Sequence, residues 1–97
     1  MINVKRRGLG FMNNVQVPDS LKFSLEACRK NAGLTLREAA EILGIGYQRL
    51  SKYENDSSDI PMSLLSKMSF VYQVPVNNIF LGKKYELIRK ITNARSK

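Results

Sequence analysis

The chain has 97 residues, of which 43% are hydrophobic and 25% charged, proportions that are typical of a globular protein with one small domain. With 16 Lys and Arg against 8 Asp and Glu it carries a formal net charge of +8, which favours a polyanionic partner such as nucleic acid or an anionic membrane surface. It has no histidine, one cysteine and no cluster of carboxylates, so a histidine general base, a Cys/His metal site and an internal disulfide are excluded. We expect no enzyme activity, no cofactor and no metal.

The hydropathy pattern gives no sign of a membrane protein. No apolar run approaches the roughly 18 residues that a membrane span needs, and the N-terminus lacks the apolar core of a signal peptide. We therefore expect a cytoplasmic protein with no membrane partner.

Residues 1–19 form the first predicted segment, a basic arm or a loose hairpin. Valine and isoleucine residues alternate here with a Gly-Leu-Gly centre, and this composition suits either structure. Lys5, Arg6 and Arg7 could reach along the backbone of a nucleic acid, as the arms of some DNA-binding proteins do, or could simply be solvated.

A first helix is predicted to begin at Asp19 or Ser20, either of which can cap it, and to end at Gly33. Its apolar residues recur at helical spacing: Leu21, Leu25, Cys28 and Ala32. Cys28 is expected to be a small buried hydrophobic residue.

Two short helices with a tight turn follow. Thr35 and Glu38 fit a capping box, so a helix should begin at Leu36, and Gly44 can take the left-handed conformation that ends it. A second periodic segment spans Tyr47–Asn55. The spacing predicts a helix-turn-helix.

Three further helices are predicted. Pro61 opens a fourth through Tyr72, and Pro75 opens a short fifth that Gly82 closes. The apolar stripe of the fourth helix comprises Leu64, Leu65, Met68, Val71 and Tyr72, and the fifth helix holds Val76, Ile79 and Phe80. Residues 83–97 form a basic amphipathic sixth helix with Tyr85, Leu87, Ile88 and Ile91 on its apolar side.

The segment from about Leu21 to Leu81 resembles the Cro/repressor (XRE-like) family of helix-turn-helix DNA-binding domains. The matching residues are Leu25, Cys28, Arg29, Gly33-Leu34-Thr35, Ala40, Leu43-Gly44-Ile45, Leu50-Ser51-Lys52-Tyr53-Glu54-Asn55, Val74 and Ile79-Phe80. The resemblance implies an all-α fold, with a compact five-helix domain over residues 20–82 and the sixth helix beyond it. It also implies a sequence-specific transcriptional regulator, expected to be a repressor, that binds a two-fold operator in double-stranded DNA as a homodimer.

The resemblance assigns roles to particular residues. Leu50 and Tyr53 are expected to face inward, so the base-reading positions fall on Tyr47, Gln48 and Lys52, and Arg49 can reach bases or phosphate. Thr35 and Asn55 are expected to contact phosphate, and Arg29 is expected to form a buried ion pair with Glu54. Outside the resembling segment, Lys5, Arg6 and Arg7 of the arm are also expected to contact phosphate.

The sequence departs from the family at three places. Leu36 replaces a common glutamine that clamps the DNA backbone, Gly46 replaces a serine or threonine cap, and Asp56 and Asp59 occupy a loop in which basic residues are frequent. Each change removes affinity for phosphate, and the basic termini could compensate.

Two questions stay open at this point. The sixth helix could pack on the domain or dimerise it, could contact DNA, or could bind a membrane surface. A second function is a protein-interaction module such as the antitoxin of a toxin–antitoxin pair, so a toxin or RNA polymerase is a further expected partner.

Overall fold

The computed structural model describes residues 17–96. This range contains five α-helices and two 3₁₀ turns joined by short loops. The α-helices are α1 (Leu25–Asn31), α2 (Leu36–Leu43), α3 (Tyr47–Asn55), α4 (Met62–Tyr72) and α5 (Lys84–Arg95). The 3₁₀ turns span Asp19–Leu21 and Val76–Asn78. Extended pairing within this range is limited to the isolated bridges Phe23–Ile79 and Asp56–Lys83, so the all-α fold class is confirmed.

The start of the first helix was predicted too early in the chain. Asp19 begins a 3₁₀ turn, and α1 is capped by Ser24, whose Oγ accepts a hydrogen bond from the Ala27 N–H at 3.0 Å. The helix cannot begin sooner because Phe23 is extended: its N–H donates to Asn78 and its carbonyl accepts from Phe80, both at 2.8 Å. Leu25 and Cys28 are buried as predicted, whereas Leu21 and Ala32 are exposed.

The helix-turn-helix forms as predicted. Thr35 Oγ1 accepts from the Glu38 N–H at 3.1 Å, and Glu38 Oε1 accepts from the Thr35 N–H at 2.8 Å, which completes the capping box of α2. Gly44 takes the left-handed conformation, with φ of 75°, and α3 follows after Gly46. Buried Ala39 and Ala40 face the inward side of α3, and their small side chains permit close approach of the two helices.

The segment after α4 corrects another prediction. Pro61 caps α4 rather than occupying its first helical position, and the predicted fifth helix is a single 3₁₀ turn. Ile79 and Phe80 lie in extended backbone because this strand-like stretch pairs with Phe23. Both side chains are buried, but their predicted helical conformation is wrong.

The predicted sixth helix is present as α5, and it packs on the domain. Leu87 is buried, and Lys84 Nζ lies 2.8 Å from a carboxylate oxygen of Glu26 in α1. The other side of α5 is open, because Tyr85 and Ile88 are each 58% exposed. No helix between residues 17 and 96 is long and apolar enough to cross a membrane.

Candidate nucleic-acid interface

The outer face of α3 carries the four predicted base-reading residues. Gln48, Arg49 and Lys52 are exposed and Tyr47 is half-buried, while Leu50 on the opposite side is fully buried. Helical periodicity thus separates an anchored face from a polar face that extends over the first two turns of the helix. The exposed side chains on this face can contact another molecule without any change in the packing of the core.

Two of these side chains are engaged by neighbouring residues. Arg49 lies over the Tyr53 ring, 5.6 Å from its centroid, and its Nη2 donates to the Tyr53 hydroxyl at 3.4 Å. The guanidinium of Arg37 in α2 lies closer to the ring of Tyr47, at 4.0 Å from the centroid. Sequence reasoning missed Arg37, although a basic residue beside Leu36 in the first turn of α2 was a usable signal.

Thr35 lies at the exposed N-terminus of α2. Its Oγ1 is an acceptor in the capping box, and a hydroxyl has one further hydrogen to donate, so it can cap the helix and bind a phosphate oxygen together. The neighbouring Glu38 carboxylate accepts a hydrogen bond from the Thr35 backbone N–H, and this bond lowers the pKa of Glu38. A phosphate here would meet the helix N-terminus and one negative charge.

The end of α3 places Asn55 on the surface and directs Asp56 into the following loop. Asn55 is exposed, as a phosphate contact requires. Asp56 Oδ1 accepts from the Ser58 N–H at 3.0 Å and from the Ser58 hydroxyl, and these bonds lower the pKa of Asp56. The carboxylate therefore shapes the turn of the loop in which the family more often has basic residues.

A buried ion pair fixes α3 against α1. Arg29 Nε donates to Glu54 Oε2 at 2.6 Å and Nη2 donates to Oε1 at 3.1 Å, a bidentate arrangement between side chains that are each 8% exposed. Arg29 Nη1 also donates to the Leu34 carbonyl at 2.9 Å. The hydrogen bonds to Glu54 raise the pKa of Arg29, so the guanidinium stays charged. The pair defines the orientation of the outer face of α3.

Ser57 is a second positioning residue, and sequence reasoning did not identify it. Its buried hydroxyl accepts from the Gly82 N–H at 3.0 Å and lies 3.2 Å from the Phe80 carbonyl, which it can donate to. The Ser57 N–H also donates to the Gly82 carbonyl at 2.9 Å. These bonds tie the loop after α3 to the chain that leads into α5. A serine among polar loop residues gives no signal of burial.

The remaining predicted contacts, Lys5, Arg6 and Arg7, lie outside the described residues. Within residues 17–96, no three His, Cys, Asp or Glu side chains are grouped as a metal site needs. The part of the site that the structure describes is therefore a polar and cationic helix face.

These features define a helix-turn-helix protein: a capped helix, a glycine turn, and a second helix whose inner face is buried and whose outer face is polar. The family model described as Helix-turn-helix matches residues 25–79, which is more than half of the chain. The chain belongs to this family, in its XRE (Cro/repressor) type, and the resemblance seen in the sequence is confirmed.

A comparison with curated proteins agrees with this assignment. The chain is 44% identical over 64 residues to the HTH-type transcriptional regulator ImmR of Bacillus subtilis (strain 168). The aligned region covers 66% of this chain and 50% of that protein. The chain thus spans about half the length of this relative.

Proposed function

We propose that the protein is a sequence-specific DNA-binding transcriptional regulator that acts without catalysis. The observation that carries the proposal is the outer face of α3, where Gln48, Arg49 and Lys52 are exposed beside half-buried Tyr47. An α-helix fits the major groove of B-DNA, in which each base pair presents a distinct set of donors and acceptors. The similarity to a relative named as a transcriptional regulator supports the same function.

The side chains of this face suit different bases. Gln48 can make paired hydrogen bonds to adenine, and Lys52 can donate to the acceptors of guanine. Tyr47 can contact a thymine methyl group, and Arg49 can reach a base or a phosphate once it leaves Tyr53. We further propose that Thr35 and Asn55 bind phosphates on either side of the groove and that Lys5, Arg6 and Arg7 add contacts to the DNA backbone.

Regulation would follow from occupancy of the operator. A protein bound across a promoter blocks RNA polymerase, and we propose repression of this kind as the main activity. Recruitment of polymerase through an exposed surface is the alternative. Neither mechanism needs a reacting group, which agrees with the absence of histidine from the sequence.

We propose that the active form is a homodimer and that the open side of α5 is its interface. Ile88 and Tyr85 are each 58% exposed and Phe23 is 46% exposed, and Ile88 and Phe23 line a groove of about 350 Å³ between α5 and the start of α1. In an antiparallel two-fold pairing centred on Ile88, Tyr85 of each copy meets the half-buried Ile91 of the other. A dimer that binds a two-fold operator must hold its two recognition helices about 34–36 Å apart.

Substitution of Ile88 tests the dimer better than deletion of residues 83–97, because deletion would also remove buried Leu87 from the fold. Ile88→Lys should give a folded monomer by light scattering, with much weaker binding to a two-fold operator. Lys30→Ala, an exposed change on α1, should leave the mass of the dimer unchanged. A monomeric wild-type protein would contradict the interface, and copurification of a toxin-like protein on the same groove would support the protein-interaction alternative.

Gln48→Ala tests base reading directly. Loss of one bidentate contact should weaken specific binding by about 1–3 kcal/mol and relax the preference at one base pair. The control is Asn77→Ala, which removes an exposed amide from the second 3₁₀ turn and should change neither quantity. An unchanged preferred sequence for Gln48→Ala would refute its assignment.

A further inference from the structure

The contact between Arg37 and Tyr47 joins the two helices of the helix-turn-helix at their outer edge. Arg37 lies in the first turn of α2, Tyr47 is the first residue of α3, and the guanidinium carbon is 4.0 Å from the centre of the ring. This is van der Waals contact between a cation and an aromatic face. The two side chains line a shallow groove of about 250 Å³ together with Ile45 and Gly46.

The second arginine–tyrosine contact of the interface has a different character. Arg49 and Tyr53 lie one turn apart on the same helix, and their separation of 5.6 Å is close to the limit of about 6 Å for a cation–π interaction. The Arg37 contact is shorter and links separate elements. It therefore restrains the ring relative to both helices, whereas Arg49 only follows the surface of its own helix.

Arg37 is the charged side chain of α2 that stacks on the Tyr47 ring. Gly46 caps α3 without a side-chain hydrogen bond, and it has no side chain with which to press against the ring. Among residues 17–96, the Tyr47 hydroxyl takes part in no hydrogen bond with another side chain or the backbone. Tyr47 also packs against the core, so its ring is held between apolar contacts and the Arg37 guanidinium.

We propose that Arg37 is a positioning residue for base recognition: by stacking on Tyr47 it sets the preference at the base pair that Tyr47 reads. This inference rests on the proposed function, in which the outer face of α3 enters the major groove. Because the guanidinium covers one face of the ring, that face is closed to DNA while the contact lasts. An aromatic side chain held in place discriminates between bases better than one that can turn away to accommodate either.

The test compares Arg37→Ala and Arg37→Lys with the wild-type protein on duplexes that differ at single base pairs. Lysine keeps the positive charge but lacks the planar group that stacks on a ring. In both variants, the ratio of affinities that expresses the preference at one base pair should fall about two- to fivefold. This factor corresponds to the free energy of an exposed cation–π contact. Lys30→Ala, which removes one exposed positive charge elsewhere, should leave that preference unchanged.

A double substitution separates positioning from other roles. In a Tyr47→Leu background, Arg37→Ala should cause no further change in base preference, because the ring that it positions is gone. An unchanged preference in both Arg37 variants overturns the proposal, whether or not their melting temperatures fall.

The salt dependence identifies the main rival explanation. If Arg37 only contacts phosphate, Arg37→Ala makes the slope of log affinity against log salt shallower by about 0.9, Arg37→Lys restores it, and the preferred sequence stays the same. That result overturns positioning while leaving DNA binding intact. A wild-type protein that selects no sequence overturns the proposed function and this inference together.

Discussion

Replacing Arg29 with methionine should destabilise the fold less than replacing either Arg29 or Glu54 with alanine. In Glu54→Ala the buried guanidinium loses its partners at 2.6 and 3.1 Å and keeps only the Leu34 carbonyl at 2.9 Å. An uncompensated buried charge of this kind costs about 3–5 kcal/mol. Arg29→Ala leaves the Glu54 carboxylate unpaired and also opens a cavity, whereas methionine fills most of that space.

The double variant separates the charge from the packing. Arg29→Met with Glu54→Leu removes both buried charges and retains apolar volume, so it should recover part of the stability that each single change loses. Only the Leu34 carbonyl is then left without its donor. Coupling between the two sites should therefore be about 0.5–3 kcal/mol, as for residues in direct contact.

Urea melts of the wild-type protein, the four single variants at Arg29 and Glu54 (alanine and methionine at Arg29, alanine and leucine at Glu54) and the double variant give these values. Equal m-values check that the unfolded states are comparable. The control is Lys30→Met, which breaks an exposed pair with Glu26 at 3.1 Å and should cost no more than about 1 kcal/mol. Strictly additive losses for Arg29→Met and Glu54→Leu would refute the role assigned to the pair.

Three further predictions concern buried or paired groups. Lys84 and Lys30 lower the pKa of Glu26 from 4.5 to about 2, so the stabilisation from Glu26 is complete above pH 4.5 and is lost as the pH falls towards 2. Glu26→Gln should therefore lose less stability over that range in urea melts, and equal losses would contradict the linkage. Tyr72→Phe should be neutral or stabilising by up to about 1 kcal/mol, because the buried Tyr72 hydroxyl has no hydrogen-bond partner within residues 17–96; a large loss in the same melts would contradict this. Burial raises the pKa of the Cys28 thiol to about 11, so a disulfide reagent should modify it only on unfolding, whereas rapid reaction of the native protein would show that the thiol is accessible.

Local chemistry explains the parts of the fold that the sequence predicted well. The Thr35–Glu38 capping box, the Gly44 turn and the buried side of α3 each depend on residues within one or two helical turns of one another. The errors at Asp19 and at Pro75 share one non-local cause. Phe23 pairs with the chain around Ile79, and this contact between distant residues keeps both stretches extended where helical patterns were predicted.

In the candidate site, too, some features could be predicted from the sequence and others depend on contacts between separate helices. The exposure of Gln48 and Lys52 follows from helical period, and the facing positions of Arg29 and Glu54 were suggested by family resemblance. The Arg37–Tyr47 stack follows from neither, since it depends on how two separate helices cross. Contacts of that kind become visible only when the helices are placed in space.

Selection of bound sequences from random duplex DNA, at a stated salt concentration, tests the central claim most directly. The proposed function predicts an enriched sequence with two-fold symmetry, whose half-sites lie about 10–10.5 base pairs apart, and a Gln48→Ala protein that loses preference at one symmetry-related position in each half. Failure of the wild-type protein to enrich any sequence, at salt concentrations where it still binds DNA, would contradict sequence-specific recognition by α3.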